Sequence, residues 1–143
     1  MDAGIGDLNA LRRLENEVFR QDAWPLVDLI AMLTMPGLVR LKAVVQNEMI
    51  GFVGGDVRPA DHVGWVATLG VLPAYRGMGV GRALLHACED RLFLRVPVVR
   101  LSVRRSNRVA IALYESEGYE VVDVWRGYYF DREDALVFEK KLD

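Results

Sequence analysis

A chain of 143 residues, 52% of them hydrophobic, is long enough to bury one substantial core, so we predict a single domain over residues 1–143. A formal net charge of −2 argues against nucleic acid as a partner, since proteins that bind nucleic acid present a basic surface. No apolar run is long enough for a membrane span, and one cysteine cannot form an internal disulfide, so we expect a cytoplasmic protein without a membrane partner.

The first third of the chain is predicted to form two helices and a hairpin. Asp7 is a potential N-cap for the first helix, and Pro25 begins a shorter helix that Pro36-Gly37 ends. Two β-rich runs follow and are joined at Asn47-Glu48, which is typical of a hairpin. The helices are predicted over Leu8–Phe19 and 25–34, and the strands over Leu38–Gln46 and Met49–Pro59.

The rest of the chain alternates strands with helices. A third strand leads into a long helix, and a fourth strand leads into a shorter one. The chain then forms a final pair of strands around the acidic segment 131–134. The strands are predicted over Val63–Val71, Val98–Arg104, Glu120–Phe130 and Ala135–Leu142, and the helices over Gly79–Arg95 and Asn107–Glu117.

A glycine-rich loop joins the third strand to the long helix, with glycine at positions 77, 79 and 81. Glycine lets the backbone turn tightly and approach a ligand without a Cβ in the way. The first turn of the following helix presents unpaired N–H groups and the positive end of the helix dipole. Together these features predict a site for the phosphate or pyrophosphate of a cofactor.

The spacing of the glycines in the loop shows which of the known phosphate-binding motifs it matches. A P-loop is absent because Arg82-Ala83 follows Gly81, and a dinucleotide fingerprint is absent because Leu84 stands where its third glycine belongs. The run Arg76-Gly77-Met78-Gly79-Val80-Gly81 instead matches [R/Q]-x-x-G-x-[G/A]. It resembles the pyrophosphate loop of the Gcn5-related N-acetyltransferases (GNAT), which bind acetyl-CoA.

A second segment resembles the other signature of that family, N-x-x-A-x-x-L-Y-x-x-x-G-[FY]. It runs from Asn107 to Tyr119 and reads NRVAIALYESEGY. Ser106 or Asn107 is expected to cap this helix, and Gly118 to end it. An ordinary capped helix would explain the cap and the stop, but not the position of the helix one strand after the glycine-rich loop. The two signatures together make the resemblance cover nearly the whole chain.

The resemblance implies an α+β fold, a three-layer α/β/α acyl-CoA N-acyltransferase architecture. Its sheet is mixed and mostly antiparallel, and the central strands at Val63–Val71 and Val98–Arg104 run parallel and splay apart. The strand that usually opens this fold is expected to be short or absent here. The resemblance also implies a set of residues that contact acetyl-CoA, namely Leu69, Gly70, Val71, Arg76, Gly77, Met78, Gly79, Val80, Gly81, Arg82, Asn107 and Tyr114.

Within the family, the segments 105–116 and 128–135 are similar to the ribosomal-protein N-terminal alanine acetyltransferases. This likeness implies that Tyr114 reprotonates the coenzyme A thiolate, because a phenol is a weak acid that can donate as the C–S bond breaks. The general base of that subfamily is a glutamate at the position of Ser102. A neutral serine cannot take the proton of an ammonium group unaided, so the identity of the base stays open.

Three functions remain compatible with the sequence: acetylation of a peptide or protein N-terminus, acetylation of a small amine or polyamine, and acyl-CoA binding without catalysis. The resemblance places Trp24, Tyr128 and Tyr129 on the walls of the acceptor groove, although core roles for these aromatic residues are equally compatible. Two histidines and one cysteine at unrelated spacings predict no metal site. The sequence does not distinguish a monomer from a homodimer.

Overall fold

A computed structural model describes residues 1–142 of the chain, in which six strands form one sheet and four α-helices pack against it. The elements follow the order predicted from the sequence. The helices are α1 Leu8–Phe19, α2 Leu26–Thr34, α3 Val80–Leu92 and α4 Arg108–Ser116. The strands are β1 Val39–Val45, β2 Glu48–Arg58, β3 Val63–Val71, β4 Val98–Arg104, β5 Glu120–Trp125 and β6 Ala135–Lys141. Short 3-10 turns cover Ile5–Asp7, Arg20–Asp22 and Pro73–Tyr75.

The helices cover both faces of the sheet, each over its own apolar cluster. Helices α1 and α2 enclose one cluster, which contains Leu11, Leu29 and Phe52. Helices α3 and α4 enclose the other, which contains Leu85 and Tyr114. The predicted three-layer α/β/α arrangement is therefore confirmed. No helix within residues 1–142 is long and apolar enough to cross a membrane.

The sheet has the strand order β1-β2-β3-β4-β6-β5, and every neighbouring pair is antiparallel except β3 and β4. The parallel pairing of β3 with β4 extends only from Val63, opposite Val98, to Trp65, opposite Arg100. Beyond this point the two strands separate, as the resemblance implies. The second half of β3 therefore pairs with β2 on one edge, while within residues 1–142 no strand pairs with its other edge.

A β-bulge lies at the point where the two strands separate. Gly54 of β2 pairs with Thr68 and Gly55 pairs with Val66, so Ala67 is an extra residue on β3. A bulge increases the local twist and changes the direction in which later side chains point. After it, Thr68 and Gly70 face α1, where a Cβ on Gly70 would lie 3.1 Å from the Phe19 ring. Glycine at position 70 thus lets α1 pack closely on this strand.

Two elements end three or more residues earlier than the sequence predicts. Helix α3 ends at Leu92 instead of Arg95, because Pro97 forces the residue before it into an extended conformation and the helix must end upstream. Strand β5 ends at Trp125 instead of Phe130. After it the chain turns at Gly127, whose φ of 59° is positive and whose N–H donates to the Asp134 carboxylate. Residues 126–134 therefore form a folded connection instead of a strand.

The opening strand of the fold is short, as expected. Asp2 forms a single bridge with Leu41, flanked by hydrogen bonds from the Ala3 N–H to the Arg40 carbonyl and from the Lys42 N–H to the Met1 carbonyl. Residues 1–3 thus add only one bridged residue pair to the edge of the sheet beside β1.

A buried charged residue fixes α3 to the far half of the sheet. The Glu89 carboxylate accepts from the Tyr119 hydroxyl at 2.6 Å and from the Lys140 ammonium at 3.0 Å. Both oxygens are thereby satisfied, as a buried carboxylate requires. Because Lys140 belongs to β6, this link sets the direction of α3 and of the loop at its N-terminus.

Candidate active site

The glycine-rich loop leaves its backbone donors free. Gly79 is the N-cap of α3 with a φ of 83°, and Gly77 has a φ of 77°, conformations that other residues adopt only with strain. No side chain caps the helix. Within residues 1–142, the N–H groups of positions 77–82 have no hydrogen-bond acceptor. Together with the positive end of the helix dipole, they form an exposed anion-binding surface.

The two arginines beside this loop have partners inside the protein. The Nε of Arg76 donates to the Val71 carbonyl at 3.1 Å. Arg82 pairs with the Glu117 carboxylate and donates to the Ser116 hydroxyl, and His86 contacts the same carboxylate. These contacts, first with His86 and then with Arg82, lower the pKa of Glu117. The backbone N–H groups of the loop are therefore free, and each guanidinium uses only part of its donors within residues 1–142, Arg76 its Nε and Arg82 its Nη1.

Helix α4 carries Tyr114 into the apolar cluster that α3 and α4 cover. The Asn107 side chain caps this helix by accepting from the Ala110 N–H at 3.1 Å, which confirms one of the two predicted caps. The Tyr114 side chain is 7% exposed and lies against Phe138, with ring centroids 6.0 Å apart. Burial raises its pKa to about 12, with a smaller contribution from the neighbouring Tyr129 phenol. Tyr114 therefore keeps its proton at neutral pH.

The connection between β5 and β6 carries a row of aromatic rings across the face of the sheet that α1 also covers. Trp125 stacks on Trp65 of β3 with centroids 5.7 Å apart, and Tyr128 lies 5.0 Å from Trp125. Tyr129 meets Tyr128 edge to face at 5.1 Å. The two predicted tyrosines thus stand together at the end of a continuous aromatic row. We name residues 126–134 the β5–β6 wall.

The segment that joins α1 to α2 lies near the end of β4, where Asp22 pairs with Arg104. We name its residues 20–24 the α1–α2 wall. It contains Trp24, which is half-buried against the α1/α2 cluster and does not belong to the aromatic row. The structure therefore separates the three predicted acceptor-site aromatics into one residue on this wall and two on the other.

Ser102 faces the space between the two walls. Burial raises the pKa of Tyr129, whereas the adjacent Ser102 hydroxyl and the Arg104 guanidinium oppose that rise. Tyr129 thus places a phenol beside Ser102, where the related subfamily is expected to have its catalytic glutamate. The negative charge of Asp22 adds to the rise in the pKa of Tyr129. The Asp22 carboxylate is itself paired with Arg104.

Sequence reasoning missed a buried carboxylate on α1. Glu15 is 1% exposed, and its two oxygens accept from the Trp24 N–H at 3.3 Å and from the Thr68 hydroxyl at 2.9 Å. It therefore joins the α1–α2 wall to β3 next to the bulge. Burial raises its pKa, and these two hydrogen bonds offset only part of the rise. A signal was available, because Glu15 interrupts the apolar stripe of Leu11, Leu14 and Val18.

Comparison with known proteins identifies the family. The model of the acetyltransferase (GNAT) family matches residues 8–119. The chain belongs to the GNAT family. It is 36% identical over 128 residues to the N-alpha-acetyltransferase RimI of Mycobacterium tuberculosis, a match that covers 86% of this chain and 78% of that protein. It is 28% identical to an N-alpha-acetyltransferase of Saccharolobus solfataricus over 99% of this chain and 91% of that one.

A solved structure supports the same assignment. The ribosomal-protein-S18-alanine N-acetyltransferase of Escherichia coli has a TM-score of 0.88 and 28% sequence identity, with coverage of 100% of this chain and 92% of that one. The predicted GNAT membership and the likeness to N-terminal alanine acetyltransferases are thus confirmed. This GNAT protein is an N-acetyltransferase that depends on acetyl-CoA.

Replacing Glu15 with glutamine should change how stability depends on pH. Because the pKa of Glu15 is raised above its ordinary value of 4.5, the folded state binds this proton more tightly than the unfolded state. The wild type should therefore lose stability relative to Glu15→Gln as pH rises from about 4.5 through the raised pKa. Urea unfolding at a series of pH values measures the difference in the free energy of unfolding.

Glu17→Gln is the matched control, because Glu17 is an exposed carboxylate on the same helix. Its difference from the wild type should stay nearly constant over the same pH range. Parallel stability curves for the wild type and Glu15→Gln would contradict the buried, proton-binding character of Glu15.

Proposed function

We propose that this GNAT protein acetylates the α-amine of a peptide or protein N-terminus, acting in the cytoplasm as a monomer or homodimer. The observation that carries the proposal is the gap between β3 and β4. Beyond the last paired residues, Trp65 and Arg100, β3 leads into a loop whose N–H groups lack acceptors within residues 1–142, and β4 leads to Arg104, which contacts both walls. The chain is also 36% identical to an N-alpha-acetyltransferase. We infer that the acceptor enters between these walls to reach Tyr114.

The residues around the gap fit the cofactor that the family uses. When bound, acetyl-CoA supplies an acetyl thioester that is activated for transfer to an amine. The N–H groups of positions 77–82 would hold its pyrophosphate, because they are exposed and lack acceptors. The unpaired edge of β3 at Leu69, Gly70 and Val71 would pair with its amides, since a free strand edge offers N–H and C=O groups. Arg76, Arg82 and Asn107 stand beside these groups but are engaged with Val71, Glu117 and the α4 cap.

Tyr114 supplies a proton at its phenolic oxygen. With a pKa of about 12, it is protonated across the range of about pH 8 to 10 in which acceptor amines become neutral. It can therefore donate to the sulfur as the C–S bond breaks, which is the work of a general acid. Its burial among Tyr119 and Phe138 holds the ring in one place.

The acceptor amine must lose a proton without a carboxylate at position 102. We propose that water ordered by the Ser102 hydroxyl carries this proton to solvent. Such a site favours an amine that is already partly neutral at pH 7 to 8. An α-amine with a pKa of about 8 meets this condition far better than a lysine side chain with a pKa of about 10.4.

A polyamine is the second candidate acceptor, and one observation favours it. Three carboxylates, those of Asp22, Asp131 and Glu133, surround the single Arg104 guanidinium at the walls. At this cluster the carboxylates outnumber the guanidinium, which would attract a polycation, while Arg20, Arg126 and Arg132 of the same two walls offset that charge. Comparison of a free-N-terminus peptide with spermidine distinguishes the two acceptors. Absence of coenzyme A release with either would favour an acyl-CoA-binding module.

A valine at Gly79 should weaken acetyl-CoA binding by about tenfold or more, because a β-branched residue cannot adopt the positive φ that aims the loop N–H groups outward. Isothermal titration calorimetry on the folded variant measures the affinity. Gly37→Val is the control, since Gly37 has a φ of 84° in a turn outside the loop. Equal losses of affinity in both variants would show that general strain, and not the loop, is responsible.

Tyr114→Phe should reduce kcat by roughly 10²–10⁴ while acetyl-CoA affinity and the fold are kept, because only one hydroxyl is removed. Tyr119→Phe removes another phenol from the same core, and it should reduce stability and leave kcat near that of the wild type. Steady-state rates of coenzyme A release and thermal melts provide both measurements. Wild-type turnover in Tyr114→Phe would exclude this tyrosine as the general acid.

The preferred acceptor should be a free N-terminus, with a rate that rises with pH towards the pKa of the amine. Because Tyr114 stays protonated to about pH 12, no decline from this group is expected below pH 10. The test compares one peptide with a free N-terminus and its N-blocked, lysine-containing counterpart from about pH 6 to 10. Faster acetylation of the lysine peptide at about pH 7.5 would contradict the proposed acceptor.

A further inference from the structure

One arginine contacts both walls of the groove. Arg104 lies at the end of β4, beyond the last residue that pairs with β3, and its side chain is 16% exposed. Its guanidinium donates to both oxygens of Asp22 in the α1–α2 wall, with 2.8 Å from Nη2 to Oδ1. It also donates to Asp131 at 2.9 Å and to Glu133 at 2.8 Å in the β5–β6 wall.

The same guanidinium covers an aromatic ring of the groove. The Arg104 Cζ lies 4.2 Å from the centroid of the Tyr129 ring, within the range of a cation–π contact. Tyr129 also lies beside Ser102, where the acceptor amine is proposed to lose its proton. The position of this phenol therefore depends on the position of Arg104.

No other polar link joins the two walls directly. Within residues 1–142, no hydrogen bond runs from residues 20–24 to residues 126–134, and neither segment belongs to a strand of the sheet. The α1–α2 wall is also tied to the body of the protein by Glu15, and the β5–β6 wall by the hydrogen bond from the Ser106 N–H to the Glu133 carboxylate and by the contacts of Asp134 with Arg105. Within residues 1–142, Arg104 is thus the one residue whose side chain hydrogen-bonds to both walls.

The charges make this contact necessary. Without the guanidinium, Asp22, Asp131 and Glu133 would present three like charges to each other across the groove, which favours separation of the walls. Arginine suits the position because its planar fork donates to several carboxylates and stacks on a ring at the same time. A lysine ammonium offers neither geometry.

We propose that Arg104 is a positioning residue that holds the α1–α2 wall and the β5–β6 wall at the separation the acceptor requires. This role deepens the proposed function, since the groove it shapes is the one assigned to the acceptor. Arg104 sets acceptor binding through Asp22 and Tyr129 and does not contribute to the pyrophosphate loop. Its loss should therefore raise the KM for the acceptor and leave the KM for acetyl-CoA unchanged.

The test compares Arg104→Met with Arg100→Met. Arg100 is a matched control, because it lies four residues earlier on the same strand and its guanidinium pairs with Glu139 of β6, with no hydrogen bond to either wall within residues 1–142. Steady-state kinetics with a free-N-terminus peptide should show an acceptor KM raised about tenfold in Arg104→Met and near wild type in Arg100→Met. The KM for acetyl-CoA should stay within about twofold in both variants.

Hydrogen exchange supplies a readout that does not depend on the proposed acceptor. In full-length Arg104→Met, the amides of residues 20–24 and 126–134 should exchange faster than in Arg100→Met, while α3 is unchanged. If the wild type acetylates no peptide but both walls lose protection, the proposed acceptor is wrong and the positioning role stands. Unchanged protection at both walls would overturn the positioning role, whatever the acceptor.

A second variant covers the case in which Arg104→Met does not fold. Asp22→Asn keeps the shape of the side chain and removes its charge, so it weakens only the contact with the α1–α2 wall. It should raise the acceptor KM and increase exchange at residues 20–24. If both single variants fold, the double variant should be no worse than Arg104→Met alone, because the two residues act through one contact. Additive effects on the acceptor KM, or no effect of Asp22→Asn, would count against the proposal.

Discussion

The separation of β3 from β4 after Trp65 and Arg100 is the constraint on which the rest of the site depends. It requires the bulge at Ala67, which turns Thr68 and Gly70 towards α1 and leaves the edge of the following residues free. Two parallel strands that stayed paired would fill the gap with their own hydrogen bonds, and no cofactor amide could bind there.

Buried and half-buried charges hold the two walls around this gap. Glu15 ties the α1–α2 wall to Thr68 of β3, and Arg104 ties that wall to the β5–β6 wall. Each contact places a charge out of water, which is costly unless every polar atom has a partner. The hydrogen bonds to Glu15 and around Arg104 meet that condition. The walls of the groove are thus positioned by directional contacts, while the apolar clusters position the helices and the sheet.

The groups near Ser102 determine how an acceptor amine could lose its proton at this site. A phenol, that of Tyr129, lies beside it, and the nearby Asp22 carboxylate is occupied by Arg104. In the proposed function, proton removal from the acceptor therefore depends on the pKa of the acceptor itself, which gives the site a preference among amines. In the same proposal Tyr114 donates the proton to the leaving group, and its burial keeps it protonated at neutral pH.

The sequence by itself determined the order of the elements, the glycine-rich loop, the capped helix of Tyr114 and the family. These signals come from near neighbours: the spacing of apolar residues, glycine before a helix, and Asn107 three residues before the N–H that it caps. Only the tertiary structure decided that Arg82 pairs with Glu117, that Glu15 binds Thr68 and that Arg104 joins both walls. Arg104 and Asp22 stand 82 positions apart in the chain, and no local pattern relates them. Such pairs form only when packing brings distant segments together, because the attraction between two charges depends on their distance in space and not on their separation along the chain.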